Sequence, residues 1–257
     1  MPPSSRLPDG RLVSLEPDPL REGSLVLEID GSEQSSIQPR SPGVLDLEYM
    51  ARLGAVVDAL APAGRAVSVL HLGAGALSLA RYVAWSRPGS EQTVVEEAAG
   101  LVDFVLEHAP LPAGARLRIV TGDASQTLPD LRADLVVLDV YDGDEIPEAF
   151  YRADVLLALA ERVADRGLLA VNVADDADHR RLDRLVEGVR PALPIIAIVG
   201  SASLAEHRSA GNAILLASRG GIAVETSAHL LRAGPHPVAA VPARDVVAVE
   251  VTVEVDP

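Results

Sequence analysis

The sequence predicts an α/β fold, a doubly wound parallel sheet behind a small N-terminal β region. Three observations predict it. Strand-like and helical patterns alternate from about residue 67 to residue 190, the order that a parallel sheet with crossover helices requires. Most of the strand-like runs are continuously apolar, as in Leu135-Val-Val-Leu138, which fits strands covered by helices on both faces. Acids end three successive runs, at Glu96, Asp123 and Asp139, and open α/β sheets bind ligands at that edge.

Taken in order, residues 1–23 are rich in Pro, Gly and charge and read as loose chain or turns. Residues 24–30, Ser-Leu-Val-Leu-Glu-Ile-Asp, alternate as a half-buried strand, with Gly31 as the turn. Pro39-Arg-Ser-Pro-Gly43 is a break. Leu45, Tyr49, Leu53, Val56, Val57 and Leu60 mark a helix over 44–60, which Pro62-Ala-Gly64 ends. Strands follow near 67–72, 92–96, 117–121, 134–140 and 167–173, with helices near 76–85, 98–108, 148–165 and 178–190. Strands near 195–200, 212–217 and 246–255 lack long intervening helices, which suits an antiparallel hairpin at one sheet edge. Gly, Ala and Ser obscure the remaining pattern over 200–245. The organisation expected is an N-terminal β region with a linking helix over 1–60 and a nucleoside-binding domain over 61–257.

Composition narrows the function. The chain has 257 residues, 48% of them hydrophobic and only 3% aromatic, so Ala, Val and Leu must fill the core. A net charge of −15 argues against nucleic acid, whose phosphates need clustered Lys and Arg. It argues equally against an anionic membrane surface. It suits a cationic ligand, although acidic surfaces also serve solubility. There is no cysteine and no lysine, which removes disulfides, thiolate chemistry, Schiff bases and the P-loop lysine. The N-terminus has no apolar signal region, and no run reaches the ~18 apolar residues of a spanning helix. A cytoplasmic protein is expected.

Gly73-Ala-Gly75-Ala lies between a strand and a helix, where small residues let a ligand approach the backbone. Ser78 stands where a third glycine of a dinucleotide motif would be, and many parallel folds need such a turn for packing alone. Glu96 follows Gly73 by 23 residues and could accept hydrogen bonds from ribose hydroxyls; Glu97 beside it is the alternative. Gly122-Asp123-Ala124 could read an adenine, Asp123 by its carboxylate and Ala124 by its backbone N–H. The competing role for Asp123 is to cap a short helix containing Gln126 and Leu128. Acids at three strand ends favour S-adenosyl over nicotinamide dinucleotide binding. Asp139-Val-Tyr141-Asp142-Gly-Asp144 places carboxylates where a cationic substrate or a general base belongs. The six histidines show no metal-ligand spacing, His71 reads as a core residue, and no metal is expected.

The order Gly73-Ala-Gly75, Glu96, Gly122-Asp123-Ala124 and Asp139-Val-Tyr-Asp142 resembles the polyamine aminopropyltransferases, the spermidine synthase family. Leu27-Glu-Ile-Asp30-Gly31-Ser-Glu-Gln34 resembles that family's opening strand, and Asp144-Glu-Ile-Pro147 resembles its bacterial members. The similarity runs from about residue 24 to 175. It implies an S-adenosylmethionine-methyltransferase-like Rossmann sheet with a small N-terminal β region. It implies decarboxylated S-adenosylmethionine as donor, a diamine as cationic acceptor, and no tightly bound cofactor. It implies Asp139 as general base, and Asp142, Tyr141, Asp144 and Gln34 as substrate contacts. Gly73, Gly75, Glu96, Asp123 and Ala124 would hold the nucleoside.

The sequence departs from the family pattern at three places. Ala76 replaces an aspartate that would hold the donor's aminopropyl amine, so Ala76→Asp is expected to improve decarboxylated-donor binding. Asp46 and Leu47 stand where the family has a tyrosine followed by His or Gln, with Tyr49 close by. Val140 and Tyr141 replace small residues between the two acids. Two other readings stay open: a methyltransferase using intact S-adenosylmethionine, and an inactive nucleoside-binding relative, for which a homodimer is the simplest form.

Overall fold

The computed structural model describes residues 1–143, 145–176, 178–201, 210–220 and 238–242. Strands β1 (Ser4–Arg6), β2 (Leu12–Pro17), β3 (Leu25–Ile29) and β4 (Ser32–Ile37) form an antiparallel N-terminal sheet in chain order. The turn between β3 and β4 is Asp30-Gly31, with φ of 52° and 78°. Two positive φ values in a two-residue loop match the twist of a hairpin, and an Asp-Gly pair tolerates them. Asp30 also accepts a hydrogen bond from the Leu12 N–H (2.8 Å), which fixes β2 beside the turn.

Helix α1 (Glu48–Ala59) leads to the main sheet. Its strands are β5 (Ser68–Leu72), β6 (Glu91–Glu96), β7 (Arg116–Thr121), β8 (Ala133–Leu138), β9 (Val163–Asp175), β10 (Ile195–Ser201), β11 (Gly211–Ser218) and β12 (Val238–Pro242). The helices between them are α2 (Ser78–Ser86), α3 (Leu101–His108), α4 (Ala153–Glu161) and α5 (Arg180–Val189). The strand order is β12-β10-β11-β9-β8-β5-β6-β7. The five strands from β7 to β9 are parallel, whereas β10, β11 and β12 are joined antiparallel. This is the doubly wound fold of S-adenosylmethionine methyltransferases. The chain starts at β5, winds outward through β6 and β7, then crosses to β8. The order therefore reverses between β5 and β8, and a crevice opens there beyond the strand ends.

The continuous apolar strands have a direct packing cause. On β8, Leu135 and Val137 meet Met50, Leu53 and Val56 of α1 and Leu79 and Val83 of α2. Val136 and Leu138, one residue out of phase, meet Leu156 and Leu159 of α4 and Leu182 and Leu185 of α5. A third cluster joins Val13, Leu15, Leu27 and Ile37 of the N-terminal sheet to Ala76, Leu77, Val94 and the α3 residues Leu101, Val102 and Val105. The small sheet is thereby packed over the start of α2.

Several expectations are corrected. Residues 1–23 contain β1 and β2, because Val13 and Leu15 are fully buried although Pro, Gly and charge surround them. The polar segment Ser32–Ile37 forms β4 by pairing with β3. The single helix expected over 148–165 is a 3-10 turn at Glu148–Tyr151 followed by α4, and residues from Val163 belong to β9. An antiparallel pair, β10 with β11, is present, but β12 lies outside it at the edge, within the stretch where no pattern was legible. The strand expected at 246–255 lies outside the described residues.

Arg87, at the end of α2, is 1% exposed. All five of its N–H groups have acceptors: the carbonyls of Val57, Asp58, Ala61, Pro62 and Arg65. It closes the C-terminus of α1 and the loop beyond it, where helix carbonyls lack intrahelical partners. Arg87→Met should lower unfolding stability by at least ~3 kcal/mol, since several buried carbonyls lose their donor. Urea denaturation of the two proteins measures this.

Candidate functional site

The site forms at the strand-order reversal. Gly73 follows β5 with φ of 92°, and its N–H donates to the Val95 carbonyl (2.9 Å). The Asp139 N–H, after β8, donates to the Leu72 carbonyl (3.0 Å). A Cβ at position 73 would collide with the Asp139 carbonyl oxygen. Only glycine permits this approach, for both its φ and its lack of a side chain. At Gly75 (φ 46°) a Cβ would stand 3.1 Å from the Ser35 hydroxyl of β4. The N-terminal sheet thus roofs the glycine loop. Ser78, in the place of a third glycine, donates to the Ser36 carbonyl (2.6 Å) and ties α2 to that roof.

Beneath the roof lies a cavity of about 620 Å³. It brings together Gln34, Gly73, Gly75, Glu96, Asp123, Ala124, Asp139, Tyr141 and Asp142. Asp144 lies outside the described residues. The carboxylates of Glu33, Glu96, Glu97, Asp123, Asp139 and Asp142 line this space, with Arg11 the single guanidinium among the described lining residues. Such a wall favours a cationic occupant.

Glu96 ends β6 and reaches back across the loop. Its carboxylate accepts hydrogen bonds from the Ala74 N–H (2.9 Å) and the Ala98 N–H (2.8 Å). Each oxygen keeps a lone pair for a donor in the cavity. Asp123 accepts from the Ser125 N–H (2.8 Å) and the Gln126 amide (2.7 Å). Burial pushes the Asp123 carboxyl upward, but the hydrogen bonds from Ser125 and Gln126 outweigh it and hold the group below its ordinary value. Residues Ala124 to Gln126 form a turn rather than the start of a helix.

Asp139 stands on the cavity floor. Asn172 of β9 donates to its Oδ1 (2.9 Å). Burial pushes its carboxyl up to about 6, against the lowering effect of the Asn172 hydrogen bond. The Tyr141 hydroxyl donates to the Asn172 carbonyl (2.8 Å) and accepts from the Ala174 N–H (2.9 Å). Its polar end is therefore committed to β9, and its ring is what remains for the cavity. Tyr49, from the first turn of α1, also lines the cavity, and burial followed by the Asp139 charge raises its phenol. His71 lies behind the site. It is buried, bonded to Gln92 (2.9 Å), and held neutral with its pKa lowered to about 4, chiefly by burial. No group of three His, Cys, Asp or Glu that could hold a metal occurs among the described residues, and no helix among them is long and apolar enough to cross a membrane.

The departures acquire structural reasons. Ala76 is fully buried in the apolar cluster beneath the N-terminal sheet, outside the residues that line the cavity. A carboxylate introduced there would enter an apolar cluster, so Ala76→Asp does not simply restore an amine contact. Asp46 accepts hydrogen bonds from Ser24 (2.5 Å) and Ser36 (3.0 Å) and fastens the linker to β3 and β4. Tyr49, not Asp46 or Leu47, brings an aromatic ring into the cavity. Asn172 and Asn212 are lining residues that the motifs did not indicate. The available signal for Asn172 was its place as a lone polar residue within Leu168-Leu-Ala-Val-Asn-Val173. Gly73→Ala should lose ~1–3 kcal/mol of stability, or more, through the forced φ and the collision. Paired urea denaturation of the two proteins would record the loss.

No protein-family model and no curated protein matches the chain. Solved structures do. A probable spermidine synthase from Corynebacterium glutamicum superimposes with a TM-score of 0.80 at 26% identity, over 93% of this chain and 90% of that one. A spermidine synthase in complex with the transition-state analogue AdoDATO gives 0.59 at 16% identity, over 86% of this chain and 72% of that one. Human methyltransferase-like protein 13, in complex with SAH, gives 0.54 at 18% identity, over 72% of this chain and 91% of that one. The last two likenesses are of fold. The first extends over almost the whole of both chains. The motifs converge on one cavity of a spermidine synthase-like fold, to whose solved members the chain is similar at low identity.

Proposed function

We propose that the protein is a transferase that moves an aminopropyl group from decarboxylated S-adenosylmethionine to a diamine. The observation that carries this reading is Asp139, a carboxylate on the floor of an acidic cavity, next to the glycine loop at the strand-order reversal. Glu96 would take the ribose hydroxyls, Asp123 the adenine amino group and the Ala124 N–H a ring nitrogen. Gln34 would contact the donor from the roof, and Asp142, Asp144 and the Tyr141 ring would hold the acceptor. The amine nitrogen attacks the carbon beside the sulfonium. The carbon–sulfur bond breaks, the thioether leaves with its electron pair, and Asp139 takes the proton. Orientation and proton removal are what the protein contributes.

The burial of Ala76 favours a second reading, methyl transfer from intact S-adenosylmethionine to an amine. Calorimetric titration with methylthioadenosine and S-adenosylhomocysteine, each with and without putrescine, separates the two. Aminopropyl transfer requires methylthioadenosine binding that putrescine strengthens. Preference for S-adenosylhomocysteine moves the protein to methyl transfer, and binding of neither leaves an interaction protein.

The base must be ionised to accept a proton. With the Asp139 carboxyl raised to about 6, kcat/KM should climb as pH rises through 6, well above the range of an ordinary aspartate. Stability should run the other way. The folded state holds a proton that the unfolded chain releases near its ordinary value, so this group's contribution is lost as pH rises from about 4 to about 6. Asp139→Asn should abolish transfer, leave nucleoside affinity nearly unchanged, and gain melting temperature relative to the parent between pH 4 and pH 7. A constant difference in melting temperature across that window would contradict the assignment.

A further inference from the structure

Asp139 does not stand alone on the cavity floor. Asn172, on the adjoining strand β9, is 2% exposed. Its amide nitrogen donates to Asp139 Oδ1 (2.9 Å), and its side-chain oxygen accepts from the Asn212 amide of β11 (3.1 Å). Its backbone carbonyl accepts the Tyr141 hydroxyl. Asn212 is a junction as well. Its backbone carbonyl accepts from the buried Arg52 guanidinium of α1 (3.5 Å), and Arg52 pairs with Glu48 one turn earlier. Arg52 follows Tyr49 by three residues, so the contact that docks α1 on β11 also sets the face that carries Tyr49.

The direction of the side-chain chain is determined. An amide nitrogen can only donate. An ionised Asp139 carboxylate can only accept, so Asn172 must offer its nitrogen to Oδ1 and its oxygen to the Asn212 amide. Oδ2 has no hydrogen-bond partner among the described residues and is left for the cavity. We propose that Asn172 and Asn212 are positioning residues, a two-amide relay that locks Asp139 Oδ1 and presents Oδ2 to the substrate. The remaining titratable groups facing Asp139 are the Tyr49 and Tyr141 phenols, both kept neutral by burial. The relay explains two polar residues in strands that are otherwise almost wholly apolar along their buried lengths. The proposal rests on the transferase reading for its kinetic consequence only.

The test is titration of the Asp139 carboxyl by ¹³C NMR, with Asp139→Asn to assign its signal. Asn172→Leu removes the donor and should move the midpoint upward by about one pH unit, the equivalent of roughly a tenfold loss in preference for the ionised form. Asn212→Leu does not touch Asp139 and should move it in the same direction by less, because the Asn172 amide is freed to turn. The double variant should go no further than Asn172→Leu. If turnover is measurable, the rising limb of kcat/KM should follow each midpoint, while nucleoside affinity stays within about twofold of the parent. A midpoint that Asn212→Leu leaves in place in a folded protein, or that Asn172→Leu leaves or lowers, overturns the relay. Failure of the transferase reading would appear instead as absent nucleoside binding in the parent, with the titration shifts intact.

Discussion

The arrangement of the site depends on one close approach, that of the Gly73 backbone to the Asp139 carbonyl. Strands β5 and β8 are neighbours in the sheet, and their carboxyl ends meet where the winding reverses. Hydrogen bonds extend the pairing one residue past each strand, through Gly73 to Val95 and Asp139 to Leu72. The glycine loop and Asp139 are therefore held in register by the sheet itself rather than by flexible loops. Glu96 completes the frame, because its carboxylate bonds to N–H groups at Ala74 and Ala98 and so links the loop after β5 to the turn after β6. A ligand in this cavity would meet groups already placed, which reduces what binding must spend on ordering.

Three arginines of this acidic chain serve helix ends. Arg87 closes α1, Arg81 donates to the Ala109 and Pro110 carbonyls just past α3, and Arg219 donates to Ala160 and Val163 around the end of α4. Three helices thus end on guanidinium groups instead of on glycine caps. A guanidinium suits this task, since its planar fork satisfies several carbonyls at once and complements the negative end of the helix. A lysine, with three donors on one point charge, could not cover the five carbonyls around Arg87. These cationic groups are spent on architecture, and among the charged side chains of the described cavity lining Arg11 alone is an arginine, beside six carboxylates.

The N-terminal sheet serves as the roof. Serines make the joint: Ser78 to the Ser36 carbonyl, Ser24 and Ser36 to Asp46, and Ser35 above Gly75. Small hydroxyl residues let β4 approach the loop closely while the Ser24, Ser36 and Ser78 hydroxyls keep partners. Asp46, which departs from the family pattern, is employed in this joint. Tyr49, three residues on, is the aromatic group that reaches the cavity.

Much of this was legible in the sequence, and the reason lies in periodicity. Strands such as Leu135–Leu138 are apolar on both faces because both faces are packed, so their class and order could be read directly. Gly73, Glu96, Asp123 and Asp139 stand at strand ends, and that position alone implies a shared edge. By itself the chain therefore determined the α/β class, the doubly wound parallel order and the one edge at which these residues gather. Tertiary structure decided what depends on pairing across the sheet. Strand β4 is polar and exists through its register with β3, and β2 through burial against α3 and the loop. Whether Ala76 faces the ligand or the core depended on how the N-terminal sheet docks. The Asn172–Asn212 relay joins residues 40 positions apart, and only the antiparallel pairing of β9 with β11 brings them to adjoining strands. Local sequence carries the propensity of each element, whereas hydrogen bonds between distant strands carry the chemistry of the site.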